Sequence, residues 1–428
     1  MTDSSFSLIF LASLAIFAGL QLWLDLRQAR HVARHRGKVP AAFANRIEPA
    51  SHQRAADYTV ARIRLARVAT VLSALWLLAL TLGGGIQAFH DGWSRYFAPG
   101  GLAHGLALLG SVALVGWLVE LPITLHRIFR VEQAFGFNRM TPRLFLADTL
   151  KEAAVAVALG GPVLAAVLWI VEASGPHWWF YAWLFWMGLN VALMVIWPTF
   201  IAPLFNRFQP LTDTALTSRI EALLTRCGFR ARGLFVMDGS RRSAHGNAYF
   251  TGLGAARRIV FFDTLLEKLT PDELEAVLAH ELGHFRHRHV LQRLLLLALA
   301  SLGLLALLGQ LAQAPWFFAG LGLAATDTAS ALLLFALVLP VFLFPLGPLM
   351  SLWSRRHEYQ ADAYAVAQTS AGSLASALVK LYRDNASTLT PDPLYSTFHD
   401  SHPPAALRLA RLGSAPVPDR DAATQGAS

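Results

Sequence analysis

Apolar residues in this chain fall into long unbroken runs, not into the alternation or the three-to-four spacing of a water-soluble fold. Seven runs approach or exceed the ~20 residues that carry a helix across a bilayer core. They are Phe6–Trp23, Val68–Phe89, Leu102–Val119, Ala153–Val171, Trp178–Ile201, Val290–Leu311 and Ala329–Trp353. Arg293, near the start of the sixth, is the single Asp, Glu, Lys or Arg inside them. Gly83-Gly84-Gly85, Pro340 and Pro345 interrupt two runs, as packed membrane helices allow. The pattern predicts an all-α integral membrane protein with seven transmembrane helices. The first run follows Asp3 and no basic residue, so it reads as a span and not as a secretory signal.

The polar stretches between runs set an orientation. Arg27, Arg30, Arg34, Arg36, Lys38, Arg46, Arg54, Arg62, Arg64 and Arg67 separate the first two spans, while only Arg95 lies between the second and third. Arg127, Arg130, Arg139, Arg143 and Lys151 follow the third span, and the stretches 172–177 and 312–328 carry no Lys or Arg. Basic and neutral loops alternate. By the positive-inside rule the N-terminus lies outside and the C-terminus inside. Alternation also puts the long 202–289 segment on the cytoplasmic side, facing the tail that starts at Ser354. From about Ser414 the tail is rich in Pro, Ala, Asp and Ser and reads as disordered. The expected division is a membrane domain over 1–205, a metal-bearing domain over 206–413, and the tail 414–428.

Composition agrees with burial in lipid. Of 428 residues 55% are hydrophobic and 15% charged, against about 25% charged in ordinary globular domains. The net charge of +9 sits beside the spans, where it favours the anionic inner leaflet. No basic patch is interleaved with aromatics, so membrane lipids are the expected partners and nucleic acid is not. A single cysteine, Cys227, excludes an intramolecular disulfide and a cysteine-based zinc site. Arginine outnumbers lysine and Ala and Leu abound, which resembles the coding bias of a GC-rich bacterium. A bacterial inner membrane is the expected location.

The chemistry is concentrated in Ala279-His280-Glu281-Leu282-Gly283-His284. Upstream, Thr270-Pro271-Asp272-Glu273 is a helix start with an N-cap, a proline at the first position and a glutamate three residues after the cap. On that helix His280 and His284 share a face and can hold one Zn2+ through their imidazoles. Glu281 is rotated by about 100°, beside the metal, where a general base would take a proton from water. Gly283 permits the close approach of another backbone or of substrate. A catalytic zinc takes three protein ligands and an open position. Glu358, just past the seventh run, is the candidate third ligand, and Asp362, one turn later, can orient a ligating imidazole. The alternative is a solvated cap, with both carboxylates paired to Arg355 or Arg356. His287 and His289 read as interfacial residues at a helix end and not as ligands.

The chain resembles the type I CAAX prenyl endopeptidases, seven-span zinc metallopeptidases related to the yeast a-factor-converting enzyme. Five stretches carry the resemblance: Phe135–Thr141 with Asp148 and Lys151, Ser240–Gly252, His280–His284, Ser354–Asp362, and His402-Pro403-Pro404 with Arg408. The resemblance implies a gluzincin-type domain on the cytoplasmic side, with a small β-hairpin or edge strand, and helices around a water-filled chamber. It implies zinc on His280, His284 and Glu358, with Glu281 as base. Asn247, Ala248, Tyr249 and Phe250 would form a strand pairing with extended substrate. His402 and Arg408 would sit near the zinc, Arg408 among the groups facing substrate and His402 stabilising the oxyanion. On the residues alone, His402 reads as a loop residue, Arg408 as a helix-surface charge, and Asn247–Phe250 as an ordinary turn and strand. The expected activity is peptide-bond hydrolysis in a protein or peptide substrate, possibly lipidated, with one zinc per chain. A quality-control protease without prenyl recognition is the nearer alternative. A non-catalytic zinc-binding or transport protein is the farther one, although transporters place ionisable groups at mid-membrane.

Overall fold

The computed structural model describes residues 1–230, 233–251 and 258–414. Seven of its helices are long and apolar enough to cross a membrane. Several run well beyond the apolar segments. Helix α1 (Asp3–His35) starts behind Thr2, whose hydroxyl accepts the Ser5 amide, and continues twelve residues past Trp23. Helix α2 (Pro49–Leu80) begins with proline in its first turn, long before the apolar run. The second span was expected to stay helical to Phe89, but α2 ends at Leu80 and Gly84 turns the chain at φ 75°. A β-carbon at Gly83 or Gly85 would stand 2.7 Å from the Ala79 carbonyl oxygen, so the triple glycine closes this turn against the helix end.

Helices α3 (Leu102–Glu132), α4 (Pro142–Ala173) and α5 (Gly175–Phe205) complete the first five spans. Then comes the polar unit. Helix α6 (Thr214–Arg226) covers a sheet of β1 (Phe208–Pro210), β2 (Leu234–Met237), β3 (Ala248–Thr251) and β4 (Arg258–Phe262). The strand order is β1-β2-β4-β3, with β2 and β4 parallel and the outer pairs antiparallel. Among the described residues strand β3 therefore has one free edge and pairs antiparallel with β4 on the other. The expected edge strand is present. It begins at Ala248, with Asn247 just ahead accepting the Phe262 amide on its carbonyl.

Helix α7 (Pro271–Arg286) carries the paired histidines and is followed by α8 (His289–Leu311), the sixth span. The seventh was expected as one helix over Ala329–Trp353. It is two: α9 (Thr328–Leu343) stops at a 3-10 turn over Phe344–Leu346, and α10 (Gly347–Gln368) restarts behind it. Pro345 and Pro348 supply no amide hydrogen for a continuous ladder. Helices α11 (Ala371–Asp384), α12 (Pro393–His399) and α13 (Ala405–Ser414) fold back around α10. Residues 415–428 of the tail lie outside the described residues.

The spans differ in how deeply they are packed. In α4 and α5 6% of the apolar window is buried, but in the last span 39% is. Leu334 and its neighbours in α9 meet Phe6, Phe10, Leu108 and Phe317, so this helix runs through the packed centre. A second core joins Leu223, Phe261, Leu278, Leu282, Ala365 and Leu378 from α6, the sheet, α7, α10 and α11. That core holds the chemistry-bearing helices together.

Candidate functional site

Local sequence anchors α7. Thr270 accepts the Glu273 amide at 3.4 Å, and Glu273 Oε2 accepts the Thr270 amide at 2.8 Å. Glu273 also accepts Lys380 Nζ at 2.7 Å and Ser376 Oγ at 2.6 Å, which ties the start of α7 to α11. Burial works against its charge, yet these bonds hold its carboxyl below the ordinary value. About three turns on, Gly283 faces α10. A β-carbon there would lie 2.8 Å from Ala361 Cα and 3.1 Å from its carbonyl oxygen. The backbone that approaches Gly283 is therefore α10, and Glu358 arrives one turn before Ala361.

The three expected ligands converge. His280 Nε2 and His284 Nε2 are 3.3 Å apart, and they lie 3.5 and 3.4 Å from the two Glu358 oxygens. Donors at zinc's ~2.0–2.1 Å bond length stand ~3.3–3.4 Å apart in a tetrahedron, so the spacing fits that ion. Glu358 is buried, and its Oε2 has no hydrogen bond among the described residues. Such an oxygen has been taken from water without a neutral partner, as a cation ligand would be. Two imidazoles and a carboxylate are a zinc donor set.

Around these three, the remaining predicted residues fall into two groups. Asp362 accepts His280 Nδ1–H at 2.9 Å and is gripped by Arg408 through Nε at 2.8 Å and a second guanidinium nitrogen at 2.5 Å. Arg408 is buried, and the solvated-cap arrangement is absent: Arg355 donates instead to the Ser396 and Asp400 carbonyls. His402 places Nδ1 2.7 Å from Glu358 Oε2, outside hydrogen-bond alignment, while most of its ring stays exposed. A crevice of 500 Å³ opens at His402, and one of 720 Å³ reaches Asn247; Tyr58, Arg62 and Asn385 line both. The backbones of Tyr249 and Phe250 lie on the edge strand, and their side chains lie outside the described residues.

Electrostatics separate the roles. Burial raises the Glu281 carboxyl above its ordinary value; His280 opposes this and Glu358 adds to it. The two imidazoles diverge. Burial lowers both, but the hydrogen bond to Asp362 and the neighbouring Glu358 carboxylate lift His280 to about 9, while His284, beside His280, falls to about 3.

Sequence reasoning missed the contact that His289 makes. The sequence reads it as an interfacial residue at a helix end and not as a ligand; it does start α8, but it is buried, with Nδ1 2.9 Å from His284 Nδ1. Five residues along a continuous helix would point it away from His284. The chain instead breaks at Arg288, which adopts φ 56°, and His289 swings back. Another contact was not anticipated: Arg242 pairs with Asp148 of α4 at 2.8 Å, and Asn138 bridges Ser243, so α4 and the loop that precedes it clamp the segment before β3.

Comparison with known proteins bears on this geometry. Residues 28–207 match the model described as CAAX prenyl protease N-terminal, five membrane helices, and residues 210–415 match peptidase family M48. CAAX prenyl protease 1 of Saccharomyces cerevisiae is 36% identical over 354 residues, covering 79% of this chain and 77% of its own. The chain belongs to peptidase family M48. A homologue from Arabidopsis thaliana is 38% identical over 317 residues, covering 73% of this chain and 74% of that one. The crystal structure of S. mikatae Ste24p superposes with a TM-score of 0.88 at 32% identity, covering 95% of this chain and 98% of that one. This M48 peptidase is thus a multi-pass membrane zinc metallopeptidase of the CAAX prenyl protease type.

Proposed function

We propose that this M48 peptidase removes C-terminal tripeptides from prenylated proteins, or performs a bacterial equivalent, with one zinc held by His280, His284 and Glu358. The observation that carries this is the convergence of three donors at tetrahedral spacing, with Glu281 on the same helix beside them. Zinc held there supplies Lewis acidity, activating water near neutral pH and polarising a carbonyl.

The chain's own groups do the rest. Glu281, whose burial favours the proton-holding form, takes a proton from attacking water and delivers it to the leaving amine. The free edge of β3 pairs with extended substrate, and Asn247 marks where that edge enters the crevice. His402, exposed beside Glu358, donates toward the developing oxyanion. Arg408 and Asp362 act through His280, fixing its ring. The basic loops favour a cytoplasmic active site, and the arginine-rich composition favours a bacterial inner membrane.

The test is Glu281→Gln in purified protein. A general base contributes about 10²- to 10⁴-fold, so turnover should fall by that factor with zinc content unchanged. Full activity would remove Glu281 from the mechanism. A farnesylated peptide should be cleaved with higher kcat/KM than its unmodified twin; equal rates would favour a quality-control protease without prenyl recognition.

A further inference from the structure

The two ligating imidazoles are held by different means. His280 leans on a carboxylate, Asp362, itself neutralised by Arg408. Among the described residues no carboxylate touches His284 Nδ1; its neighbour is His289 Nδ1 at 2.9 Å. Two ring nitrogens at that distance need one hydrogen and one lone pair between them. The next contact decides which has which. His289 Nε2 lies 2.9 Å from Gln360 Oε1, a carbonyl that can only accept. Nε2 of His289 therefore carries its hydrogen, and Nδ1 of the neutral ring offers the lone pair. His284 must then carry its hydrogen on Nδ1, which leaves Nε2 free to ligate.

The geometry points to His289 as a positioning residue that sets the tautomer and angle of His284 for zinc, inside a relay from Gln360. The relay is braced. His289 stacks on His357 with centroids 3.9 Å apart and planes at 8°, and His357 Nε2 lies 3.0 Å from Gln292 Oε1. Both rings are buried. The left-handed backbone at Arg288 delivers His289 to this place, a conformation that non-glycine residues adopt at a cost. Gln360 and His357 both lie on α10, the helix that carries Glu358. The device therefore couples the angle of one ligand to the seating of the helix that brings another. Because a neutral ring polarises its partner less than a carboxylate does, His284 is the less basic of the two imidazole ligands.

This inference rests on His284 being a zinc ligand, as proposed above. The test is zinc affinity, read by chelator competition on the detergent-purified full chain. His289→Phe keeps an aromatic ring against His357 and removes the acceptor. His289→Asn restores an acceptor near the position of Nδ1. Loss of such an orienting bond typically weakens metal binding 10- to 100-fold. We expect that loss in His289→Phe and recovery of most of it in His289→Asn. Gln360→Leu should weaken zinc binding and Gln360→Glu should not, which keeps the relay testable if position 289 tolerates no change. Zinc affinity within twofold of wild type in both His289→Phe and Gln360→Leu would overturn the assignment. So would equal weakening in His289→Phe and His289→Asn, which would make the effect one of packing. Failure of the peptidase function would look different: no peptide would be cleaved, while the order of zinc affinities would stand.

Discussion

Among the described residues histidine meets carboxylate at several places, and two of these clusters make a contrast: one is built to hold an ion and the other is not. At the metal centre, His280, His284 and Glu358 direct three atoms at a common point, all within 4.8 Å of one another. In the second cluster His90 Nε2 meets Asp327 Oδ2 at 3.0 Å, and the His90 and His104 rings meet edge-on at 4.6 Å. The residue types are nearly the same, but the lone pairs are committed elsewhere. His104 Nε2 turns to the His90 carbonyl, and Asp327 caps α9 by accepting the Ser330 amide and hydroxyl at 2.9 and 3.0 Å. One buried nitrogen, His104 Nδ1, is left over, with no second donor aimed beside it. Convergence of free acceptors, and not composition, separates a ligand cage from a structural pin.

Substitutions can sharpen that contrast. Glu358→Ala should have the largest effect, abolishing tight zinc binding in metal analysis and peptidase activity with it; retained zinc would mean that the two imidazoles need no carboxylate. Asp327→Ala should lose its helix cap and its histidine partner, at about 1–3 kcal/mol in thermal unfolding, while zinc affinity and kcat stay at wild-type values. A change in zinc affinity there would erase the distinction between the clusters. The smallest effect concerns the anchor of α7. Glu273 has a folded pKa below its unfolded one. Its contribution is therefore full above the ordinary glutamate range and is lost as pH falls through the folded value. Glu273→Gln should cost roughly 1–3 kcal/mol at neutral pH, and the gap to wild type should close on acidification. A gap that widened toward low pH would reverse the sign.

The membrane part was legible because lipid demands about twenty apolar residues per crossing, and nothing else in a sequence looks like that. Helix ends were not. The first turns of α2 are polar, so hydropathy could not see them, and the breaks at Gly83–Gly84 and Pro345 were read as tolerated interruptions. In the site, the stacking of His280 and His284 follows from helical geometry alone. The approach of Glu358 depends on Gly283 meeting Ala361, a fit between two helices that neither announces. The contact of His289 with His284 was not foreseen because it depends on one left-handed residue, Arg288, that no pattern of side chains marks.

The clasp of Arg408 on Asp362 has a bearing on biosynthesis. Ribosomes deliver the paired imidazoles well before Glu358, and Glu358 before the guanidinium that steadies its neighbour on α10. A nascent chain halted between these points holds only fragments of the cage. In chain order the cage is therefore complete only once the last apolar run and the tail behind it have been synthesised.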